Sequence, residues 1–143
     1  RSVKPSVVQN KVDVFHVGKQ LDVSGDEIVA FCRQRGLQLV GYSPFSAYPF
    51  VMEPTQDPLV RLIAQQRTAR QSPAQHPVTP AQIVLKWMLQ RGIAAIPRSS
   101  HPGRLAENLR ALRLAPLTAD ELAVLDTLQS LVSSPVSVPI ALV

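Results

Sequence analysis

The sequence has a single cysteine, Cys32, in 143 residues, so no internal disulfide framework exists. One thiol leaves the redox compartment open and makes the cytoplasm the default setting. Cys32 follows Phe31 on the apolar side of a predicted helix, where a small buried hydrophobe is expected rather than a reactive thiol. Aromatic residues make up only 5% of the chain, too few for a platform on which nucleobases stack. The net charge is +5, but Lys and Arg are dispersed, with no block of like charge. That dispersal argues against a nucleic-acid footprint. No apolar run approaches the ~20 residues needed to span a bilayer, so no membrane partner is expected. No basic-then-apolar leader opens the chain, and residue 1 is Arg rather than Met. The expectation is a downstream piece of a longer polypeptide.

Several site chemistries are missing as well. There is no Gly-x-Gly-x-x-Gly and no Walker loop. His16, His76 and His101 lie far apart, and none forms a metal-ligand pair with Cys32 or a nearby carboxylate. Gly41-Tyr42-Ser43-Pro44-Phe45 lacks the closing glycine of a nucleophile elbow, and Pro44 would deform that turn.

What remains is an ordinary globular composition, 45% hydrophobic and 17% charged, of one domain's length. Residues 1–131 read as one α/β unit. Residues 132–143 read as an apolar tail, broken by Pro135 and Pro139, that either packs on the body or is unstructured.

Val7 to Phe15 is rich in β-branched residues and predicts a strand ending near Lys11 or Asp13. Ser24-Gly25-Asp26-Glu27 has the Ser-x-x-Glu form of a capping box. Ile28, Phe31, Cys32 and Arg35 then recur at helical spacing as far as Gly36. Leu37 to Val40 predicts a short strand stopped by Gly41 and Pro44, completing a parallel crossover unit. The pattern returns with Thr79-Pro80-Ala81-Gln82, a second capping box with Pro at the first helical position. Ile83, Val84, Trp87 and Met88 form one stripe, Gly92 ends the helix, and Ile93 to Ile96 is the next strand. Gln34-Arg35-Gly36-Leu37 and Gln90-Arg91-Gly92-Ile93 repeat one phrase at the same junction, as a βα-barrel or layered α/β fold produces. Between them, Leu59 to Arg70 predicts a helix with Leu62 and Ile63 inward and Arg61, Arg67 and Arg70 outward. Thr118 to Glu121 opens a last capped helix with Leu122, Leu125 and Leu128 on one face. The total is three strands and about five helices.

The most informative stretch runs from Ile96 to Leu109. A short apolar strand leads into Pro97-Arg98-Ser99-Ser100, and a helix follows from Pro102 with Arg104, Glu107 and Asn108 on nearly one face. Backbone N–H groups and the helix dipole at such a junction favour an anion. Arg98 and Arg104 add charge-assisted, potentially bidentate contacts, and Ser99 and Ser100 add hydroxyls. The cluster suits a nucleotide 2′-phosphate.

This stretch resembles the cofactor signature of the aldo-keto reductases, with its Ile-Pro-Lys-Ser opening and Arg-Ile-x-Glu-Asn continuation. Gly41-Tyr42-Ser43-Pro44-Phe45 resembles the same family's Ala-Tyr-Ser-Pro-Leu, and Val8-Gln9-Asn10 is a third match on an early strand. The matches fall in the right order, from about Pro5 to Leu128. The resemblance implies the C-terminal portion of a (β/α)8 TIM barrel, contributing three parallel strands with flanking helices. It further implies NADP(H) as cofactor: Gln9 on the nicotinamide carboxamide, Tyr42 stacked on the ring, Ser43 and Phe45 along the pyrophosphate. Arg98, Ser99, Ser100 and Arg104 would take the 2′-phosphate, and Glu107 and Asn108 the adenine.

Two departures stand out. Ser46-Ala47 replaces the usual Gly-Ser in the loop facing the pyrophosphate. Arg98 replaces the commoner Lys, keeping the charge and adding fork geometry.

In that family the proton-donating Tyr and its Lys, His and Asp neighbours arise from the first half of the barrel, and no residue here matches those motifs. The expectation is therefore a cofactor-binding segment of an NADP-dependent oxidoreductase that reduces aldehydes or ketones in its full-length parent, inactive alone. Its partners would be a small carbonyl substrate and the missing N-terminal half of the barrel. The alternative is a non-catalytic nucleotide-binding module or regulatory remnant. Three parallel strands leave two unpaired edges and an unfilled inward face, so the isolated chain is expected to be loosely packed or aggregation-prone.

Overall fold

A computed structural model describes residues 3–17, 25–47 and 52–133. The Ser24 capping box and residues 134–143 of the tail fall outside the described residues. The elements are β1 (Val7–Asp13), β2 (His16–Val17), α1 (Gly25–Arg35), β3 (Gln38–Tyr42), α2 (Pro58–Ala69), α3 (Pro80–Gln90), β4 (Ala94–Ile96), α4 (Pro102–Arg113) and α5 (Ala119–Ser133). A 3₁₀ turn at Pro54–Gln56 leads into α2.

β1, β3 and β4 pair in parallel, in the order β2-β1-β3-β4. The two-residue β2 is antiparallel to β1 and was not expected from the sequence. No Asn-Gly or Asp-Gly turn marks it. Instead the Asp13 carboxylate accepts the Phe15 N–H at 2.8 Å, an Asx-type turn that reverses the chain.

The repeated phrase has one structural cause. Gly36 and Gly92 adopt φ of +62° and +76°, ending α1 and α3 in the left-handed conformation. Leu37 N–H then bonds Cys32 O at 2.8 Å, and Ile93 N–H bonds Met88 O at 3.0 Å, each launching the next strand segment. α3 starts with the full capping box of Thr79 and Gln82, as expected.

Pleating separates the two faces of the sheet. Leu39, Gly41 and Ala95 alternate with Val40, Tyr42 and Ile96. Leu39, with Val12 and Ile93, packs under α3, whose Ile83, Val84, Trp87 and Met88 are fully buried. Gly41 marks the closest approach. An added Cβ would collide with Met88 Cε and lie 2.9 Å from Val12 Cβ. Gly41→Ala is therefore expected to cost about 1–3 kcal/mol by overpacking, read as a lower urea midpoint with an unchanged slope.

Much of the opposite face is bare, although Lys11 and Asp13 at its β1 end are buried. Val7, Tyr42 and Ile96 are 55%, 40% and 46% exposed.

Four finer expectations need correction. β3 does not stop at Gly41 but continues through Tyr42, paired to Lys11 and Ile96. Phe31 is exposed and lies beneath the Arg35 guanidinium at 4.6 Å, while Cys32 alone of the two is buried. In α2, Leu62 faces solvent and Val60, Ile63 and Ala64 face inward. Arg67, expected outside, is drawn in by Glu121 of α5 at 2.9 and 2.5 Å.

Candidate functional site

The sheet register sets the first part of the site. Gln9 pairs with Val40, which pairs with Ala94; Lys11 pairs with Tyr42, which pairs with Ile96. Gln9 and Tyr42 thus share the bare face, on adjacent strands and offset by two residues. Strand spacing and rise put their Cα atoms about 8 Å apart. The Tyr42 row is the C-terminal rim of the sheet, and the chain runs from it through Pro97 to Arg98, Ser99 and Ser100. Both cofactor motifs of the sequence therefore open on one rim, where ligands bind in parallel α/β folds.

The loop after β3 leaves that rim through a constrained residue. Ser43 has φ of +50°, the only non-glycine in the left-handed region among the described residues. Ser46 N–H closes the turn on Ser43 O at 3.2 Å. Phe45 turns its ring onto the core, while Ser43 stays exposed. A serine held this way costs of order 1 kcal/mol. Ser43→Gly is expected to raise the melting midpoint by a few degrees while weakening dinucleotide binding.

The second part is the start of α4. Its N-cap, His101, makes no side-chain capping bond. The contrast with its neighbours is informative: Asp57 caps α2 and Thr79 caps α3. Ser99 Oγ accepts the His101 N–H at 3.2 Å and shapes the entry to the helix. Arg98 and Ser100, in the loop before the helix, and Arg104, in its first turn, are exposed. One turn further, Glu107 and Asn108 are half-buried. Glu107 Oε1 accepts the Thr79 hydroxyl at 2.6 Å, and its backbone carbonyl accepts the Gln82 amide at 3.0 Å. The α3 cap thereby fixes the register of α4, a role for Thr79 and Gln82 that the capping pattern alone did not reveal.

Lys11 and Asp13 also escaped the sequence reading. Both are buried at the C-terminal end of β1, their side chains ion-paired. Two cavities, of about 430 and 400 Å³, lie elsewhere: one between α2 and the start of α3, the other at the opposite end of the sheet around Cys32 and Gly92. Cys32 is buried, as expected of a packing residue, and burial pushes its thiol pKa up. Among the described residues no group of three or more His, Cys, Asp or Glu could hold a metal, and no helix is long and apolar enough to cross a membrane.

Three parallel strands with helices packed on one face and polar motifs on one rim define a portion of a (β/α)8 barrel. The chain superposes on the crystal structure of a Gox0644 mutant in complex with NADPH at 26% identity and TM-score 0.66, covering 88% of this chain and 39% of that one. A thermostable aldo-keto reductase, Tm1743, in complex with the inhibitor epalrestat gives 29% and 0.64, covering 85% and 39%. The sequence profile of the Aldo/keto reductase family matches residues 1–130, and the chain belongs to that family.

Among curated relatives, a probable NAD(P)H-dependent D-xylose reductase of Arthroderma otae is 37% identical over 71% of this chain and 31% of its own length. The NAD(P)H-dependent D-xylose reductase of Kluyveromyces lactis is 35% identical over 68% and 30%. Aldo-keto reductase family 1 member A1 of Mus musculus is 29% identical over 89% and 36%. The chain spans about a third of the length of the curated relatives it matches.

Proposed function

We propose that this chain is the cofactor-binding part of an NADP-dependent reductase of aldehydes or ketones. The observation that carries the reading is the α4 start: a helix N-terminus with no side-chain cap, reached from the C-terminal rim of a parallel sheet, with exposed Arg98 and Ser100 in the loop before it and exposed Arg104 in its first turn. Unsatisfied N–H groups with two guanidiniums and a hydroxyl match a phosphate in charge and donor count. A phosphate monoester carries about −1.5 to −2 near neutral pH, enough to engage both arginines.

The remaining residues fit the rest of the dinucleotide. Asn108 and the second oxygen of Glu107 would face the adenine, with Thr79 holding the carboxylate in place. Ser43 and the backbone at Phe45 would border the pyrophosphate. On the bare face, Tyr42 offers an exposed ring for stacking and Gln9 an amide for the carboxamide. When bound, the nicotinamide supplies hydride chemistry toward a carbonyl carbon. This chain's residues bind and orient it. None of these 143 residues matches the family's proton-donating Tyr, Lys, His and Asp, and this reading assigns the proton to a part of the barrel outside them. A cytoplasmic setting goes with this reading.

A titration of the 143-residue chain with NADPH and NADH, read by quenching of the buried Trp87, tests the reading. Micromolar NADPH binding, at least about a hundredfold tighter than NADH, is expected from two added charge-assisted contacts. Equal affinities, or none, would overturn it.

A further inference from the structure

Lys11 and Asp13 are charged, buried and unused by the reading above. Lys11 is 7% exposed and Asp13 is fully buried. A buried ion pair is a poor device for stability alone, because desolvation offsets most of its attraction. Its partners suggest a different purpose. The Lys11 ammonium ion-pairs with Asp13 and also donates to the Ser46 carbonyl at 3.5 Å. Asp13 in turn is fixed by the Phe15 N–H at 2.8 Å, in the turn that leads to β2. Lys11 sits opposite Tyr42 in the sheet register, directly beneath the loop that leaves β3.

The chain between these contacts is short. Ser43 takes the left-handed conformation, Ser46 N–H returns to Ser43 O, and Ser46 O receives Lys11. The loop is therefore tied at both ends: to β3 by covalent chain, and to the end of β1 by a cation that Asp13 neutralises. Ser46 is also where the sequence departs from the family's glycine.

We propose that Lys11, locked by Asp13, is a positioning residue for the cofactor loop, setting the height of Ser43–Ser46 above the sheet end and so the pyrophosphate contact. This rests on the functional reading above. Its consequence is specific. The pyrophosphate is common to NADPH and NADH, so Lys11 affects both alike, whereas Arg98 and Arg104 act through the 2′-phosphate of NADPH alone.

Lys11→Met leaves Asp13 buried without its cation and threatens folding. The decisive variant is therefore the pair Lys11→Met with Asp13→Asn, which removes both charges and keeps an acceptor for Phe15 N–H. Lys11→Arg is the conservative control. For each, NADPH and NADH Kd values, the melting midpoint, and amide exchange at Phe45, Ser46 and Ala47 are measured on the 143-residue chain.

The double variant is expected to exchange faster at those three amides than the wild type, with core amides of α3 unchanged. Its Kd should rise about tenfold for both dinucleotides, the loss of one charged hydrogen bond's ordering, with their ratio unaltered. Lys11→Arg should restore most of the affinity. Unchanged Kd values, a shifted NADPH-to-NADH ratio, or a loss that merely follows a lower melting midpoint would each overturn the proposal. If the wild-type chain binds neither dinucleotide, the functional reading itself fails, and the proposal with it. Wild-type binding that the double variant retains in full sinks the proposal alone.

Discussion

Replacing Arg98 and Arg104 together with alanine is expected to erase the preference for NADPH over NADH. Both residues are exposed, Arg98 in the loop before the uncapped start of α4 and Arg104 in its first turn. A hydrogen bond to a charged partner contributes about 1.5–3 kcal/mol, so each single substitution should weaken NADPH by roughly 10- to 100-fold. NADH, lacking the 2′-phosphate, should change little in the same variants. The double variant should bring the two Kd values to within a few fold of each other. Arg98→Lys keeps the charge and loses the fork, so it should give an intermediate loss. Binding of both cofactors to each variant, measured at several salt concentrations, checks this. The NADPH advantage should shrink with salt in the wild type and show no salt dependence in the double variant.

A large stability effect should also come from Arg67→Met. The guanidinium donates to both oxygens of Glu121 at 2.9 and 2.5 Å, and to the Ala115 and Pro116 carbonyls at 2.9 and 2.7 Å. One side chain thus ties α2 to the start of α5 and to the connection out of α4. Its side chain is 11% exposed and that of Glu121 10%, so removing the cation leaves a largely buried carboxylate. Breaking such a pair from one side costs about 3–5 kcal/mol. Glu121→Gln, which keeps shape and some hydrogen bonding, should cost less. Urea denaturation of the three proteins at pH 7 reads both values.

The same pair shapes the acid limb. Burial pushes the Glu121 carboxyl up, but the Arg67 hydrogen bonds and charge, with the Thr118 N–H, outweigh it and hold the carboxyl below its ordinary value. The folded state therefore binds that proton less readily than the unfolded chain. Its stabilisation is complete above the unfolded pKa of about 4.3 and is lost as pH falls through the lower folded value. Glu121→Gln should flatten that part of the stability profile.

Much of the fold was legible because it is written locally. Glycine at Gly36 and Gly92 and the Thr79–Gln82 box punctuate helices through contacts within five residues, and their positions emerged correctly. The three parallel strands followed from β-branched runs beside those signals. What escaped depended on distant partners. Arg67 reads as a surface cation until Glu121, 54 residues away, is brought to it. Leu62 reads as core until α2 is seen to turn Val60, Ile63 and Ala64 inward instead. β2 has no turn signal beyond one aspartate. Lys11 and Asp13 look like solvated strand charges until the loop after β3 covers them. Of the candidate site, the placement of Tyr42 and Arg98–Ser100 at the rim and of Gln9 on the strand short of it was legible from strand ends. The Thr79 bond to Glu107 was not, because it joins two helices 28 residues apart.

Phosphorus NMR of the 2′-phosphate, titrated with pH in the presence and absence of the chain, bears most directly on the α4 site. A phosphate monoester ionises a second time near pH 6, and two guanidiniums with helix N–H groups stabilise the dianion. The bound 2′-phosphate resonance should therefore titrate at a clearly lower pH than the free one, and the shift should vanish in the Arg98→Ala, Arg104→Ala double variant. A bound dinucleotide whose 2′-phosphate titrates as it does in free solution would contradict the assignment.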